Sequence, residues 1–288
     1  MAHGRGKGTA FGAATIVNAM PSGFGAALSV GLRTFAEVEL TGERDVKVEI
    51  AGDSSENTRL AAESFRIVLD RFGVEGGGKV KTRSEIPIAC GMKSSSAASN
   101  AVVMATLQAV DGKLDDLSII NLGVEASLRA KATVTGAFDD ACASLLGRLH
   151  LTDNSRRRII KSYDVEPLSA LFLVPQGKSY SGDVKISSVK SSSKLSGIAF
   201  SEALQGRYWQ AMLLNGFAMS RIFGYDPLPI IQAMQGGAIS AGLSGKGPAV
   251  CAVCKKEDEP SVVESWKPFG HKIIGTEVNL RRAMEAPG

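Results

Sequence analysis

The stretch Pro87-Ile88-Ala89-Cys90-Gly91-Met92-Lys93-Ser94-Ser95-Ser96-Ala97-Ala98 decides how this chain reads. A proline and a glycine break the chain, three hydroxyls follow, and small apolar residues then recur at helical spacing: Ala97, Ala98, Ala101, Val102, Ala105 and Ala109. The run therefore ends as the first turn of a buried helix. The opening N–H groups of a helix lack internal partners and carry the positive end of the macrodipole. A glycine admits close backbone approach, and serine hydroxyls add donors and a Mg²⁺ ligand, which together make a phosphate cradle. The plain alternative is a serine-rich helix cap, because serine caps well and alanine favours helix. Three consecutive serines after Pro-x-x-x-Gly exceed what one cap needs. No G-x-x-x-x-G-K-[ST] loop occurs in the chain.

Working outward, 288 residues are enough for one large or two ordinary domains. A formal net charge of +4 helps attract anionic ligands without indicating nucleic acid. Arg156-Arg157-Arg158, flanked by Asp153-Asn154-Ser155, is the one strong basic run and reads as a solvated turn or linker. Aromatic residues are sparse and do not alternate with basic ones, against single-strand nucleic-acid binding. No run of about 18 apolar residues suggests a membrane span, and Gly12, Thr15 and Asn18 interrupt any secretory core, so a cytoplasmic protein is expected. Cys251-Ala252-Val253-Cys254 lies in an apolar run and reads as a buried strand, with no second Cys or His pair to make a metal site.

Residues 11–50 read as strands joined by glycine-rich turns, with period-two alternation over 34–40 and 46–50 predicting a mainly antiparallel sheet. Helices are expected over 56–72, from the cradle to about 110, over 114–132 and within 198–235. Strands are expected at 79–83 and 170–175, with a further strand pair at 248–254 and 271–280. The polar loop 187–194 reads as a connector or as a flap near an anionic substrate.

Two more clusters accompany the cradle. Gly236-Gly237-Ala238-Ile239-Ser240-Ala241-Gly242-Leu243-Ser244-Gly245-Lys246-Gly247-Pro248 is a glycine-rich loop ahead of an apolar strand. Thr135-Gly136-Ala137-Phe138-Asp139-Asp140-Ala141 sets two carboxylates among small apolar residues. On a helix these two would point about 100° apart, so they cannot act as one dyad. Either one faces a ligand while the other caps or orients, or the two are an N-cap pair for a helix starting near Ala141.

Together the clusters resemble the superfamily of galactokinase, homoserine kinase, mevalonate kinase and phosphomevalonate kinase, the GHMP kinases. Its Pro-x-x-x-Gly-Leu-x-Ser-Ser-(Ser/Ala)-Ala motif is matched from Pro87 to Ala97, with Met92 replacing leucine. Within it the chain resembles the archaeal-type shikimate kinases, through residues 12–19, 91–98, 133–141 and 244–248.

The resemblance implies an α/β (α+β) fold of two parts, here 1–155 and 156–288, with the active site between them. It implies transfer of the ATP γ-phosphoryl group to the 3-hydroxyl of shikimate, with Mg²⁺. Pro87, Gly91, Met92, Lys93, Ser94, Ser95, Ser96 and Ala97, with Gly242, Ser244, Gly245 and Gly247, are then expected around the nucleotide. Ser95 is the expected Mg²⁺ hydroxyl, with Ser94 or Ser96 as alternatives, and Glu125 the expected second ligand. Asp139 is expected to orient or deprotonate the acceptor hydroxyl, with Asp140 as the alternative. Arg5, Lys7, Arg129 and Lys131 are candidates for the substrate carboxylate, and Asn18 and Thr135 are polar partners. The competing readings are a homoserine or mevalonate kinase of the same fold, or a metabolite sensor that binds ATP without turnover.

Overall fold

The computed structural model describes residues 4–52, 57–133, 135–175, 189 and 191–283. The first sheet contains β1 (Arg5–Val17), β2 (Phe24–Thr41), β3 (Val46–Ile50), β4 (Gly77–Ser84), β5 (Leu149–Asp153) and β6 (Arg158–Tyr163). β2 is long enough to take β1 along one edge while its other edge takes β5 near the start and β4 near the end. Only β3 and β4 run parallel within this sheet. The alternating residues 34–40 and the apolar residues before them form this single β2, without the glycine-rich turn expected between strands. The register shift between Phe11 and Gly12 absorbs Gly31 and Leu32 as a bulge, so the strand bends without ending.

Against the first sheet lie α1 (Arg59–Phe72), α2 (Ser94–Ala109), α3 (Asp116–Arg129) and α4 (Phe138–Leu146). α2 is apolar and small on nearly all sides and is buried in the middle of the layer. Its seat explains the N-terminal glycines. A Cβ on Gly4, Gly6 or Gly8 would fall 1.8, 2.0 or 2.2 Å from the carbonyl oxygens of Ala109, Ala105 and Ala101. Gly4 just before β1 and Gly6 and Gly8 within it thus meet an i, i+4 row of α2 at backbone-to-backbone distance.

The second sheet has the order β10 (Lys272–Glu277), β7 (Ser169–Val174), β9 (Val250–Cys254), β8 (Ser240–Leu243), antiparallel throughout. The segments expected to pair with each other, 248–254 and 271–280, instead flank β7 on either side. Helices α5 (Ser193–Leu204), α6 (Tyr208–Phe223), α7 (Leu228–Gln235) and α8 (Glu259–Trp266) complete this half. Cys251 and Cys254, three apart on β9, face different core clusters, so the C-x-x-C pair cannot meet in a disulfide. Burial pushes both thiols up, Cys254 to about 11.

The basic run 156–158 is the hairpin between β5 and β6, two neighbours of the first sheet. The division expected at 155 therefore falls inside that sheet, and we propose the connection after Tyr163 as the division between the two halves. In the polar stretch 187–194, residues 187, 188 and 190 lie outside the described residues, while Ser193 and Lys194 open α5.

Candidate active site

A cleft between the two halves is lined by Asn18, Ala19 and Met20 after β1, by Ala89, Gly91, Lys93, Ser94, Ser95 and Ser96 around the head of α2, and by Ser127 on α3 with Ala132, Thr133, Thr135 and Ala137 ahead of α4. Asp139 and Asp140 on α4, with Gly245 and Lys246 after β8, complete it. Two helices begin at its wall. The residue preceding α2 is Lys93, with φ 64°, and that preceding α4 is Ala137, with φ 50°. Both are left-handed although neither is glycine, a conformation that costs about 1–2 kcal/mol and tends to be kept at functional sites. Neither helix has a side-chain cap. The serines therefore do not serve as the cap the plain alternative required; Ser94, Ser95 and Ser96 are the first turn itself. The positive ends of two helices thus point into one cleft.

The carboxylates likewise do not cap a helix at Ala141, since α4 already starts at Phe138. Both are buried, Asp139 at 4% and Asp140 at 8% exposure. Asp139 Oδ1 accepts a hydrogen bond from the Asn154 amide at 2.7 Å. Asp140 pairs with the Lys93 ammonium at 2.9 Å. Burial pushes the Asp140 carboxyl up to about 7, with Lys93 opposing and the charge of Asp139 adding to the rise. The two neighbours therefore differ in partner, and Asp139 is the one held by a neutral donor.

Of the expected nucleotide-site residues, Gly91, Lys93, Ser94, Ser95, Ser96 and Gly245 line the cleft. The others stand behind it. Met92 and Ala97 are core residues, and Pro87 precedes the lining stretch. Gly242 belongs to β8, where a Cβ would come 2.8 Å from the Met212 carbonyl of α6. Ser244 is fully buried, donates to the Gly91 carbonyl at 2.8 Å and accepts from the Thr15 N–H. A Cβ on Gly247 would come 2.6 Å from the Tyr225 ring. Gly91, with φ 84°, passes so close to this loop that a Cβ would lie 2.1 Å from the Ser244 carbonyl. The Gly245 N–H donates to Thr15 Oγ1 at 2.8 Å, and the Asn18 amide donates to the Gly245 carbonyl at 2.8 Å. The late glycine-rich loop is thus largely a clasp that joins the halves behind the cradle.

Glu125 lies outside the cleft lining, half-exposed, with its carboxylate on Arg157 at 3.3 Å and Arg129 at 3.7 Å. Arg5 pairs with Glu39 and Arg129 also with Asp70, and neither lines the cleft, nor do Lys7 and Lys131. The cations that do line it among the described residues are Lys93 and Lys246. Asn18 and Thr135 both reach the lining as expected. Sequence reasoning missed Asn154, which looked like part of a solvated turn yet is 5% exposed. A polar residue at the end of an apolar strand was the only available sign.

Comparison with known proteins agrees with this geometry. Residues 59–148, containing the cradle and both aspartates, match the family model described as GHMP kinases N terminal domain. Shikimate kinase of Methanothrix thermoacetophila is 41% identical over 279 residues, 97% of this chain and 96% of that one. Shikimate kinase of Pyrococcus abyssi is 38% identical over 93% of this chain and 98% of its own. Homoserine kinase from Cytophaga hutchinsonii superposes with a TM-score of 0.75 at 17% identity, covering 97% of each chain. L. major mevalonate kinase in complex with R-mevalonate does so at 0.74 and 16%, covering 96% of each. The last two show the shared fold, whereas the first two share sequence along almost the whole chain, and the chain accordingly belongs to the shikimate kinase family of GHMP-type kinases.

Proposed function

We propose that this enzyme transfers the γ-phosphoryl group of ATP to the 3-hydroxyl of shikimate, giving shikimate 3-phosphate and ADP. The observation that carries the site assignment is the burial of Asp139 at the head of α4, in the same cleft as the uncapped head of α2. Phosphoryl transfer needs in-line positioning and charge neutralisation more than covalent help. The first N–H groups of α2 take the phosphates of ATP, and Asp139 orients the acceptor hydroxyl and accepts its proton late. Such assistance typically contributes about 10²–10⁴ in rate. Full-length identity to shikimate kinases, against 17% and 16% to the homoserine and mevalonate kinases above, supports shikimate over those acceptors.

The donors near the cradle suit Mg²⁺, a hard cation that keeps several waters and takes oxygen ligands. The Ser95 hydroxyl is exposed at the α2 head and Ser96 lines the cleft beside it. No cluster of three or more His, Cys, Asp or Glu occurs among the described residues, and Mg²⁺ bound with nucleotide needs none. When bound, it neutralises charge on the transferred phosphate. Among the described residues no helix is long and apolar enough to cross a membrane.

ADP release with ATP and Mg²⁺ on shikimate, homoserine, mevalonate and no acceptor tests the substrate. Turnover confined to shikimate is the expected result, and turnover on another acceptor alone would overturn it. Asp139→Asn is expected to remove most turnover while ATP still binds, and near-normal turnover would transfer the role to Asp140.

A further inference from the structure

Asp139 sits in a socket made by two neighbouring strands. Gly25 of β2 and Thr152 of β5 are cross-strand partners. A Cβ on Gly25 would fall 2.4 Å from Asp139 Oδ2, so the missing side chain is what admits the carboxylate. Two residues beyond Thr152, the Asn154 amide nitrogen donates to Asp139 Oδ1 at 2.7 Å. The Thr152 hydroxyl donates to the Asn154 amide oxygen at 2.7 Å. All four residues are buried or packed within the sheet. The backbone of Asn154 is held separately, through its N–H on the Gly23 carbonyl at 2.8 Å.

The chemistry fixes the direction of this relay. An ionised carboxylate only accepts, so the amide must present nitrogen to Asp139, and its oxygen is then left for a donor. Thr152 supplies that donor. We infer that Asn154 is a positioning residue for the phosphoryl transfer, holding Asp139 as an oriented carboxylate through an amide that Thr152 keeps from rotating. The inference rests on the reading of Asp139 as the group that meets the acceptor hydroxyl. One oxygen is committed to Asn154 and the other lies over Gly25, in a residue that itself lines the cleft. A hydrogen bond to the charged form of an acid favours that form, and a fixed carboxylate keeps the near-attack geometry on which transfer depends.

Other charged and titratable groups around Asp139 are Asp140 and Cys142 on its own helix, Lys93 at the head of α2 and Lys246 across the cleft. Lys93 is engaged with Asp140. Asn154 is thus the neutral donor that faces Asp139 from the sheet side.

The experiment compares Asn154→Ala, Asn154→Asp and Thr152→Val with the unmodified full chain, alongside Asp139→Asn. It records kcat per folded molecule, KM for ATP and for shikimate, and thermal stability. Asn154→Ala is expected to lower kcat by about ten-fold and leave KM for ATP within two-fold of unmodified protein. Asn154→Asp sets two carboxylates face to face and is expected to lower kcat further. Thr152→Val keeps the side-chain shape, so it reports even if the Asn154 variants do not fold, and is expected to lower kcat by less with KM for ATP again held. An unchanged kcat per folded molecule in every folded variant, with activity falling only as the folded fraction falls, would overturn the proposal while leaving Asp139 in its role. Substantial turnover by Asp139→Asn would remove the reading beneath it, and the proposal with it.

Discussion

Replacing Asp140 by Asn should change the pH dependence of stability in a calculable way. Asp140 is 8% exposed, and burial raises its carboxyl from 3.8 to about 7 despite the Lys93 ammonium at 2.9 Å. Between those values the folded chain keeps a proton that the unfolded chain has released. Stability therefore falls as pH rises through this window, by up to about 1.4 kcal/mol per pH unit. Below pH 3.8 both states hold the proton and this group adds no difference. Across the whole window the decline is on the order of 4 kcal/mol. An Asn at 140 cannot titrate, so the variant lacks the decline; the pairing with Lys93 belongs to the ionised form and is already contained in the value of about 7. Urea unfolding from pH 4.5 to 8, followed by fluorescence of the buried Trp266, gives both curves. The variant is expected to gain on the unmodified protein steadily up to neutrality. Parallel curves would refute the argument, because they would mean that Asp140 ionises in the fold as it does in water.

Gly8→Ala should destabilise strongly, because its Cβ would lie 2.2 Å from the Ala101 carbonyl and 2.9 Å from the Ala105 nitrogen, both backbone. Overpacking of this kind costs about 1–3 kcal/mol or more. Gly197→Ala, in α5 with open space around it, should be neutral or stabilising by up to about 1 kcal/mol; a denaturation series on the two variants checks the contrast. Ser95→Ala should raise the Mg²⁺ concentration needed for half-maximal kcat, whereas Glu125→Gln should leave it unmoved and cost less than about 1 kcal/mol through its half-exposed arginine pairs. A MgCl₂ titration at fixed ATP decides, and a marked shift in Glu125→Gln would restore that residue as a ligand.

Whatever was dictated locally could be read from the chain. Serines at the head of an alanine-rich segment specify a buried helix start within a dozen residues, and α2 begins at Ser94. Alternation over 34–40 and 46–50 specified half-buried strands, and β2 and β3 contain them. What could not be read depends on partners far away in the chain. The role of Gly4, Gly6 and Gly8 is one such case, because the carbonyls they meet on α2 lie more than ninety residues later. β8 was hidden in a glycine-rich cluster because Gly242 is small to admit α6 and not to turn the chain. Asn154 resembled its exposed neighbours in a basic turn, and only the fold of β5 carries it inward to Asp139.

The two glycine clusters show why the residues expected around the nucleotide include some that stand behind the cleft. Close backbone approach is required when a loop wraps phosphate, and equally when one loop packs on another. Gly91 meets the Ser244 carbonyl, and Gly245 spends its N–H on Thr15, so both clusters meet that requirement largely with each other. Composition cannot separate the two uses, since the glycines are the same in each. Most helices among the described residues lack a side-chain cap, so what sets two of them apart is where they begin. At Ser94–Ser96 and at the head of α4 no side chain caps the helix, and both ends open on one cleft. The later loop contributes Gly245 and Lys246 to that cleft and otherwise holds the halves in register. The proposed anion site therefore rests on two helix heads that open on one cleft, and the late loop packs behind the first of them through Ser244 on the Gly91 carbonyl.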